Sequence, residues 1–255
     1  MDQGLGLVVA LPVEIRALLG RCGRRRSGGV QWQGALATGL SLSLIRSGPG
    51  TQNAAAAACD LVSRGMGMLG SVGVSGGLSP EVSAGDLILA HDILERTGNT
   101  FQRIWRADSR FLAPMYTAIQ TAGLCVHQGT SVTVQRPVLT REEKTACFRE
   151  TGALAADMES AAVARQAEAA GLPFFALRAV CDPVRVSLPP FIPDCLDQRG
   201  EVRLLYLGGC LFKRPFSTLR LIRMQRGLRK ALTQLKRAWQ GPLREVLPKL
   251  LADHP

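Results

Sequence analysis

The chain has 255 residues, of which 46% are hydrophobic and 20% are charged, as in an ordinary folded soluble protein. Its seven scattered cysteines, with no Cys-x-x-Cys pair, and its three distant histidines argue against a disulfide framework and predict no metal site. No stretch approaches the roughly 20 apolar residues that a membrane span needs, and the first residues lack the basic region of a signal peptide. We therefore expect one large α/β domain that works in the cytoplasm.

The net charge of +11 is concentrated at the C-terminal end. From Lys213 onward there are eleven Lys and Arg residues against only Glu245 and Asp253, whereas residues 1–212 are nearly neutral. Apolar residues recur among these cations at broadly helical spacing, as in a basic amphipathic helix. This pattern predicts contact with an anionic surface, either lipid head groups or nucleic acid. A solvated helix packed on the domain is the alternative.

Strand and helix patterns alternate along the first 182 residues. Apolar runs predict strands, in chain order, at 5–11, 30–36, 40–45, 70–74, 86–91, 131–134 and 174–180. Helical spacing predicts helices at 51–64, 111–122, 141–149 and 158–170. The alternation predicts an α/β domain with a largely parallel sheet over residues 1–190. After residue 190 only helical patterns follow, and they predict a basic helical C-terminal extension, residues 191–255, packed on or beside that domain.

Five short segments fall at the ends of predicted strands or the starts of predicted helices. They are ALPVE at 10–14, SGPG at 47–50, VSGG at 74–77, ADMES at 156–160 and RAVCD at 178–182. In open α/β sheets, ligands bind at the carboxyl ends of the strands. These segments therefore hold the candidate site residues.

Together and in this order, the five segments resemble the purine nucleoside phosphorylase and methylthioadenosine/adenosylhomocysteine nucleosidase superfamily, over about residues 5–183. Within that superfamily the chain looks most like the bacterial hopanoid-associated phosphorylases. This closer resemblance depends on SGPG, on GALAADMES at 152–160, on LPP at 188–190 and on Arg214-Pro215 with its basic helical tail. The resemblance implies a three-layer αβα fold with a central mixed, largely parallel sheet, and it also implies a homodimer.

Glu159 lies at a predicted helix start, where the helix dipole favours a carboxylate. Its two oxygens can accept hydrogen bonds from two neighbouring ribose hydroxyls. The resemblance assigns ribose binding to Met158 and Glu159, with the Met side chain under the sugar. A carboxylate that merely caps the helix is the alternative. Ser131 and Thr133 fall where the family's base-binding loop lies, although plain strand residues are an equally good interpretation.

Asp182 ends a strongly apolar predicted strand. Cleaving a purine from ribose develops negative charge on the base, and protonation of N7 relieves that charge. A partly desolvated Asp can hold the proton at neutral pH, because burial raises its pKa. The resemblance assigns this general-acid role to Asp182, and a turn aspartate before Pro183 is the alternative. The family often has Ser where this chain has Cys181, a weaker hydrogen-bond donor.

Glycines in two of the segments would let backbone N–H groups approach an anion, close to the positive end of the helix predicted from residue 51. We therefore predict inorganic phosphate as a co-substrate and no other cofactor. Plain tight turns are the alternative. The predicted phosphate-binding residues are Ser47, Gly48, Gly50, Ser75, Gly76 and Gly77.

Glu14 is the second predicted catalytic residue, because it matches the glutamate with which the nucleosidases activate water. A carboxylate there would help hydrolysis and repel phosphate, unless Arg16 or Arg46 offsets its charge. The nucleosidases also have a serine that falls at Val74 in this sequence, and the loss of its hydroxyl weakens a water-activating role. A surface carboxylate in the first turn of a helix is the alternative.

Three functions are compatible with these patterns. The preferred one is phosphorolysis of a 5′-substituted adenosine, adenosylhopane, to adenine and phosphoribosyl-hopane in hopanoid biosynthesis. The basic tail would then dock peripherally at the inner membrane face, so that the lipid-linked substrate can enter. The second is hydrolysis of the methylthioadenosine/adenosylhomocysteine type, with Glu14 as general base. The third is non-enzymatic nucleic-acid binding, which we do not expect because the charge is confined to the tail.

Overall fold

The computed structural model describes residues 4–19, 24–26, 31–35, 40–195, 197, 201, 203 and 217–252. Arg214 and Pro215, which contributed to the resemblance, lie outside the described residues. So does most of the extension between 191 and 216. No helix of the described part is both long and apolar enough to cross a membrane.

Ten strands of the described part of the chain form a mixed sheet at its centre. Its inner strands are rich in Val, Leu and Ala and are buried on both faces, as in sheets that helices cover on both sides. In chain order the strands are β1 (Gly4–Val9), β2 (Arg24–Arg26), β3 (Gln31–Ala35), β4 (Ser41–Arg46), β5 (Met66–Gly77), β6 (Leu87–Thr97), β7 (Thr100–Arg106), β8 (Val126–Thr133), β9 (Ala155–Asp157) and β10 (Phe174–Asp182).

The strand order brings several strand ends to one edge. β1 lies between β4 and β5, and it pairs in parallel with both. β5 also pairs in parallel with β10. On its other side, β10 pairs antiparallel with β6, and β6 pairs in parallel with β8. The short strand β9 pairs with both β8 and β5, so these five strands form a closed ring. Because β1, β5 and β10 run in the same direction, the residues that follow their carboxyl ends meet at the same edge.

Helices cover both faces of the sheet. Their bounds are α1 (Pro12–Leu19), α2 (Thr51–Ser63), α3 (Ser109–Thr121), α4 (Arg141–Thr151), α5 (Ser160–Ala169), α6 (Ser217–Ala238) and α7 (Arg244–Ala252). On one face, α2 and α5 pack through small buried side chains such as Ala58 and Ala164. On the other, residues of α1, α3, α6 and α7 form the largest core cluster. The mixed α/β fold predicted from the sequence is confirmed.

The helix α4 matters because it later supplies a site residue. It begins with a capping box, in which the Thr140 hydroxyl accepts from the Glu143 backbone N–H (3.2 Å) and the Glu143 carboxylate accepts from the Thr140 N–H (3.0 Å). It ends at Gly152, whose φ of 66° is the left-handed conformation that glycine adopts without strain. Both ends of α4 are therefore fixed by local sequence.

The basic helix α6 has two halves with different surroundings. In its second half Ala231 and Leu235 are fully buried, and Trp239, directly after the helix, is 1% exposed in the same core cluster. A Cβ on Gly227 would lie 2.0 Å from the Cys181 carbonyl oxygen, so the helix backbone packs directly on the end of β10. In the first half, by contrast, Leu219 is 66% exposed. The C-terminal helices thus belong partly to the core and partly to the surface.

Candidate active site

Glu14 is held by two backbone N–H groups, one just after the end of β1 and the other inside β5, near its carboxyl end. Its Oε2 accepts from Leu11 N and its Oε1 from Val74 N, both at 2.7 Å. A Cβ on Gly73 would lie 2.6 Å from Glu14 Oε1, so only glycine leaves room for the carboxylate. Burial raises the pKa of Glu14, and the two hydrogen bonds oppose that rise. Glu14 is therefore not the surface carboxylate that was the alternative interpretation.

Neither arginine proposed to offset the charge of Glu14 does so. Arg46 Nη1 donates to Glu201 Oε1 at 2.6 Å, and Arg16 is exposed. The cation next to Glu14 is instead Arg178. Both side chains lie over Gly73, where an added Cβ would be 2.6 Å from Glu14 Oε1 and 2.7 Å from Arg178 Nη1. Electrostatic attraction to Arg178 lowers the pKa of Glu14, against the effect of burial.

Arg178 is a buried cation in the middle of β10 that contacts several polar side chains. Its Nε donates to Asp157 Oδ2 at 3.0 Å, and its Nη2 donates to the hydroxyls of Ser71 (2.6 Å) and Ser160 (2.8 Å). Its Nη2 also lies 4.0 Å from Glu159 Oε2. Sequence analysis gave Arg178 no role, although a charged residue inside the apolar strand FFALRAVCD was a visible signal. We call Glu14, Asp157, Glu159 and Arg178 the Arg178 cluster.

Glu159 lies in this cluster without capping the helix that it precedes. Its side chain makes no capping hydrogen bond to α5, and Asp157 Oδ1 instead accepts from the backbone N–H of Glu159 (3.0 Å) and Ser160 (2.9 Å). Glu159 Oε1 accepts from Gly50 N at 2.9 Å. Burial raises the pKa of Glu159 to about 7, with Arg178 opposing and Asp157 adding to the rise. The capping interpretation of Glu159 is therefore wrong.

Met158 is half-buried in front of this cluster and packs with apolar side chains that include Val132. Ser131 and Thr133 are fully buried on β8. Thr133 Oγ1 donates to Asp157 Oδ1 at 2.9 Å and accepts from Ala161 N at 3.0 Å. Ser131 Oγ lies 3.4 Å from the Ala155 carbonyl oxygen and 3.5 Å from Asp157 Oδ2. These two hydroxyls support Asp157, and base binding by them stays a prediction.

Asp182, at the end of β10, is 3% exposed and paired with a lysine. Lys144 Nζ donates to Asp182 Oδ2 at 2.6 Å, and Cys181 Sγ donates to Asp182 Oδ1 at 2.8 Å. Burial raises the pKa of Asp182, whereas attraction to Lys144 and the bond from Cys181 lower it. Sequence analysis missed Lys144. Its position on the same helical face as Cys147, three residues on, was an available signal of burial.

The predicted phosphate loops lie close to these carboxylates. Gly48 and Gly50 have left-handed φ angles of 79° and 99°, and the Ser47 hydroxyl donates to the Gly48 carbonyl at 2.7 Å. The Gly50 N–H points to Glu159. Ser75 Oγ is buried with no hydrogen-bond partner among the described residues, and a Cβ on the adjacent Gly76 would lie 3.5 Å from Asp182 Oδ2. The Ser75 hydroxyl therefore makes no hydrogen bond to the described part of the chain.

The Gly77 backbone, in contrast, is enclosed by protein. A Cβ there would lie 2.9 Å from Val180 Cγ1 and 3.1 Å from Pro183 Cα. Gly77 therefore serves close packing of β5 on β10. Phosphate contact by this glycine stays a prediction.

Outside this edge, one group of described residues brings metal-ligand atoms together: Asp86, Cys125 and His127, whose donor atoms lie within 4.8 Å of one another. His127 Nε2 lies 3.2 Å from Asp86 Oδ2 and 3.6 Å from Cys125 Sγ. The sequence analysis predicted no metal site, because the cysteines are scattered and the three histidines are far apart in the chain.

Residues 5–189 match the family model described as "Phosphorylase superfamily". The chain belongs to the phosphorylase superfamily. It is thus an enzyme of the nucleoside phosphorylase and nucleosidase type, as the five sequence segments predict. No curated protein sequence matches the chain.

Several solved structures share the fold. A Helicobacter pylori 5′-methylthioadenosine/S-adenosylhomocysteine nucleosidase has 16% identity and a TM-score of 0.71, over 99% of each chain. Futalosine hydrolase of the same organism gives 16% and 0.71, over 100% of this chain and 99% of its own. The corresponding nucleosidase of Neisseria meningitidis gives 20% and 0.69, over 96% of this chain and 100% of its own. At these identities the likeness shows the fold alone.

Proposed function

We propose that this superfamily member cleaves the N-glycosidic bond of a 5′-substituted adenosine. The observation that carries the proposal is the convergence of three buried carboxyl groups at one sheet edge. Glu14, Glu159 and Asp182 come from separate parts of the chain, and each has a pKa raised by burial. A raised pKa lets a carboxyl group hold or accept a proton more readily than an exposed one does, and glycosidic cleavage requires proton transfer on both sides of the reacting carbon.

Glu159 is suited to hold the ribose. As a carboxylate it can accept hydrogen bonds from two neighbouring hydroxyls. Its Oε1 already accepts one strong hydrogen bond from the protein, from the Gly50 N–H. With a pKa of about 7, it gains charge readily when hydroxyl donors arrive. Met158, half-buried beside it, would pack under the sugar.

Asp182 is suited to protonate the departing base. As the bond from C1′ to N9 breaks, its electron pair moves into the purine, and the Asp182 proton passes to N7. The sugar meanwhile acquires oxocarbenium character. The raised pKa of Asp182 keeps a protonated population available for this step, while attraction to Lys144 lets the proton leave.

The charge of the Arg178 cluster favours water as the nucleophile. Among the described residues, Glu14, Asp157 and Glu159 face one cation, and Arg178 already donates to Asp157 and two serines. A phosphate dianion would therefore meet mainly negative charge. Glu14 would accept a proton from water as the water oxygen attacks C1′, and the products would be adenine and a free sugar. Hydrolysis is the function that the geometry supports best.

Phosphorolysis is the second candidate, and the unpartnered Ser75 hydroxyl favours it. This donor, with the left-handed glycine loop at Gly48 and Gly50, would contact a phosphate oxygen. The resemblance to hopanoid-associated phosphorylases supports the same reaction, with adenosylhopane giving adenine and phosphoribosyl-hopane. In that case inorganic phosphate is the co-substrate. A homodimer and a cytoplasmic location remain predictions under either mechanism.

The exposed half of α6 supports a lipid-linked substrate. Leu219 and Ile222 are 66% and 39% exposed, and Arg220, Arg223 and Arg226 around them are exposed as well. This surface would bind anionic lipid head groups peripherally, at about 1 kcal/mol for each cation. Because Gly227 packs on Cys181, the docked helix would lie beside the site.

Membrane docking can be tested without deleting α6, whose second half lies in the core. A variant with Arg220, Arg223 and Arg226 changed to Glu should no longer sediment with anionic liposomes. Arg149→Glu, which reverses an exposed charge on α4, should sediment like the unchanged protein. Equal sedimentation of all three proteins would contradict docking through α6. Salt-resistant binding of duplex DNA would instead revive the nucleic-acid hypothesis.

The reaction itself is tested by adenine release from 5′-methylthioadenosine and from a 5′-alkyl-adenosine. We expect Asp182→Asn and Glu14→Gln each to lower the rate by about 100-fold or more, the usual size of a general acid or base contribution. Glu81→Gln, an exposed carboxylate on the loop after β5, is the matched control and should release adenine normally. No adenine release from either nucleoside by the unchanged protein would refute the proposed function.

A further inference from the structure

A lysine without exposed surface lies directly behind Asp182. Lys144 Nζ is surrounded by oxygen atoms: Asp182 Oδ2 at 2.6 Å, the Val186 carbonyl at 2.8 Å, the Asp182 carbonyl at 2.9 Å and the Pro183 carbonyl at 3.4 Å. An ammonium group has three N–H donors and no acceptor, whereas a neutral amine would direct a lone pair at one of these oxygens. The surroundings therefore suit the charged form of Lys144.

The same lysine fixes the orientation of the Asp182 carboxyl group. Oδ2 is held by Lys144 from α4, and Oδ1 is held by Cys181 from the adjacent position of β10. In the described part of the chain, these two are the titratable groups in direct contact with the carboxyl group. Glu14 acts on Cys181 from a greater distance. Lys144 also binds the turn that follows β10, so it ties the general acid, its loop and α4 together.

We propose that Lys144 is a positioning residue for the general acid: its ammonium group orients the Asp182 carboxyl group and stabilises the carboxylate left when the proton passes to the departing base. The inference rests on the proposed function and deepens it. In the step, the electron pair of the C1′–N9 bond moves into the base, N7 takes the Asp182 proton, and the new Asp182 carboxylate pairs with the Lys144 ammonium. No other proton moves at this end of the site.

Removal of the ammonium has a specific consequence. The Asp182 carboxyl group would remain buried but lose its cation, so its pKa would rise further and it would release its proton less readily. Substrates whose base must be protonated would then react slowly. A nucleoside already methylated at N7 carries a positive charge, and its base leaves as a neutral molecule that needs no proton. Such a substrate would not depend on Lys144.

The test compares Lys144→Met, Lys144→Arg and the unchanged protein on 5′-methylthioadenosine and on its N7-methylated form. Arg149→Met, which removes an exposed cation from the same helix, is the matched control. For Lys144→Met we expect adenine release to fall by about 100-fold and its alkaline pH limit to move upward. Release of the N7-methylated base should stay within about threefold. Lys144→Arg, which keeps the charge, should restore part of the rate on 5′-methylthioadenosine.

Equal losses on both substrates would show that Lys144 only supports the fold, and they would overturn the proposal, as would no loss on either. A second measurement is independent of activity: ¹³C NMR titration of the aspartate carboxyl groups, with Asp182→Asn to identify the signal. The Asp182 pKa should be higher in Lys144→Met than in the unchanged protein, and an unchanged pKa would overturn the inference. If the unchanged protein releases no adenine, the proposed function fails while this titration still decides the role of Lys144.

Discussion

The Arg178 cluster and the Lys144–Asp182 pair differ in the number of buried carboxyl groups for each buried cation. In the cluster, Glu14, Asp157 and Glu159 share one arginine, whereas Asp182 has a lysine to itself. Burial raises the pKa of Glu159 to about 7, Arg178 opposes that rise, and the neighbouring carboxylates Asp157 and Glu14 add to it. One-to-one pairing leaves Asp182 with burial raising its pKa and Lys144 lowering it. In the proposed function, the cluster would bind the ribose hydroxyls and the pair would release the proton.

Loss of the shared cation should have the largest effect on this comparison. Arg178→Met would leave three buried carboxylates without their arginine, and we expect the free energy of unfolding to fall by about 3–5 kcal/mol. Arg165→Met, which breaks an exposed ion pair with Glu95, should cost less than about 1 kcal/mol. Urea unfolding of both variants measures the difference. Similar stabilities would mean that the cluster does not depend on Arg178.

Glu159→Gln should change how stability depends on pH. The pKa of Glu159 is raised from 4.5 to about 7 by folding, so its contribution is fully present below about pH 4.5 and is lost as pH rises through 7. A shift of that size corresponds to about 3 kcal/mol. Between about pH 4.5 and pH 8, the variant should therefore gain about 3 kcal/mol of unfolding free energy relative to the unchanged protein.

Urea unfolding across that pH range checks the Glu159 prediction. Glu168→Gln, an exposed carboxylate in the last turn of α5, is the control and should follow the unchanged protein at every pH. A parallel pH dependence in Glu159→Gln would show that Glu159 keeps an ordinary pKa.

Gly73→Ala should have an intermediate effect, because the new methyl group would collide with both Glu14 and Arg178. We expect a loss of about 1–3 kcal/mol in unfolding free energy, together with slower adenine release. Gly34→Ala on β3, where a Cβ would meet no atom within 4 Å, should change stability by less than about 0.5 kcal/mol. Thermal melting of the two variants measures the difference. Equal stability of Gly73→Ala and Gly34→Ala would contradict the predicted collision with Glu14 and Arg178.

The smallest effect is expected at Ser75. Its hydroxyl is buried and has no hydrogen-bond partner among the residues that the structure describes, so Ser75→Ala should leave the stability of the free protein within about 0.5 kcal/mol. Ser71→Ala, on the same strand, removes an acceptor of Arg178 and should cost about 1–3 kcal/mol. If Ser75→Ala leaves the Michaelis constants for nucleoside and phosphate unchanged as well, this hydroxyl has no ligand.

The sequence was sufficient to predict most elements that carry the site. Apolar runs and helical spacing identified β1, β5, β10 and α5 to within a few residues, since both patterns are set by burial along the chain. The strand β7 and the short β9 were not predicted. β7 is half-exposed with the mixed sequence TFQRIWR, and β9 has only three residues, so neither has a distinctive period.

The partners of the predicted carboxylates could not be predicted as well. Glu14, Glu159 and Asp182 were identified by their motifs, yet Arg178 and Lys144 contact them across 19 to 164 residues of chain, a separation that no local pattern encodes. The roles of Ser131 and Thr133 depend on a third residue, Asp157, which sequence analysis passed over. The pairing of buried charges that are distant in the chain therefore could not be predicted from the sequence.

The central claim is that this buried edge cleaves a nucleoside with water activated by Glu14. The most direct test is cleavage of 5′-methylthioadenosine in ¹⁸O-water containing inorganic phosphate, with mass analysis of the sugar. We predict adenine and a free sugar that carries the label from water, and loss of this product in Glu14→Gln. An unlabelled sugar 1-phosphate would contradict the claim and establish phosphate as the nucleophile.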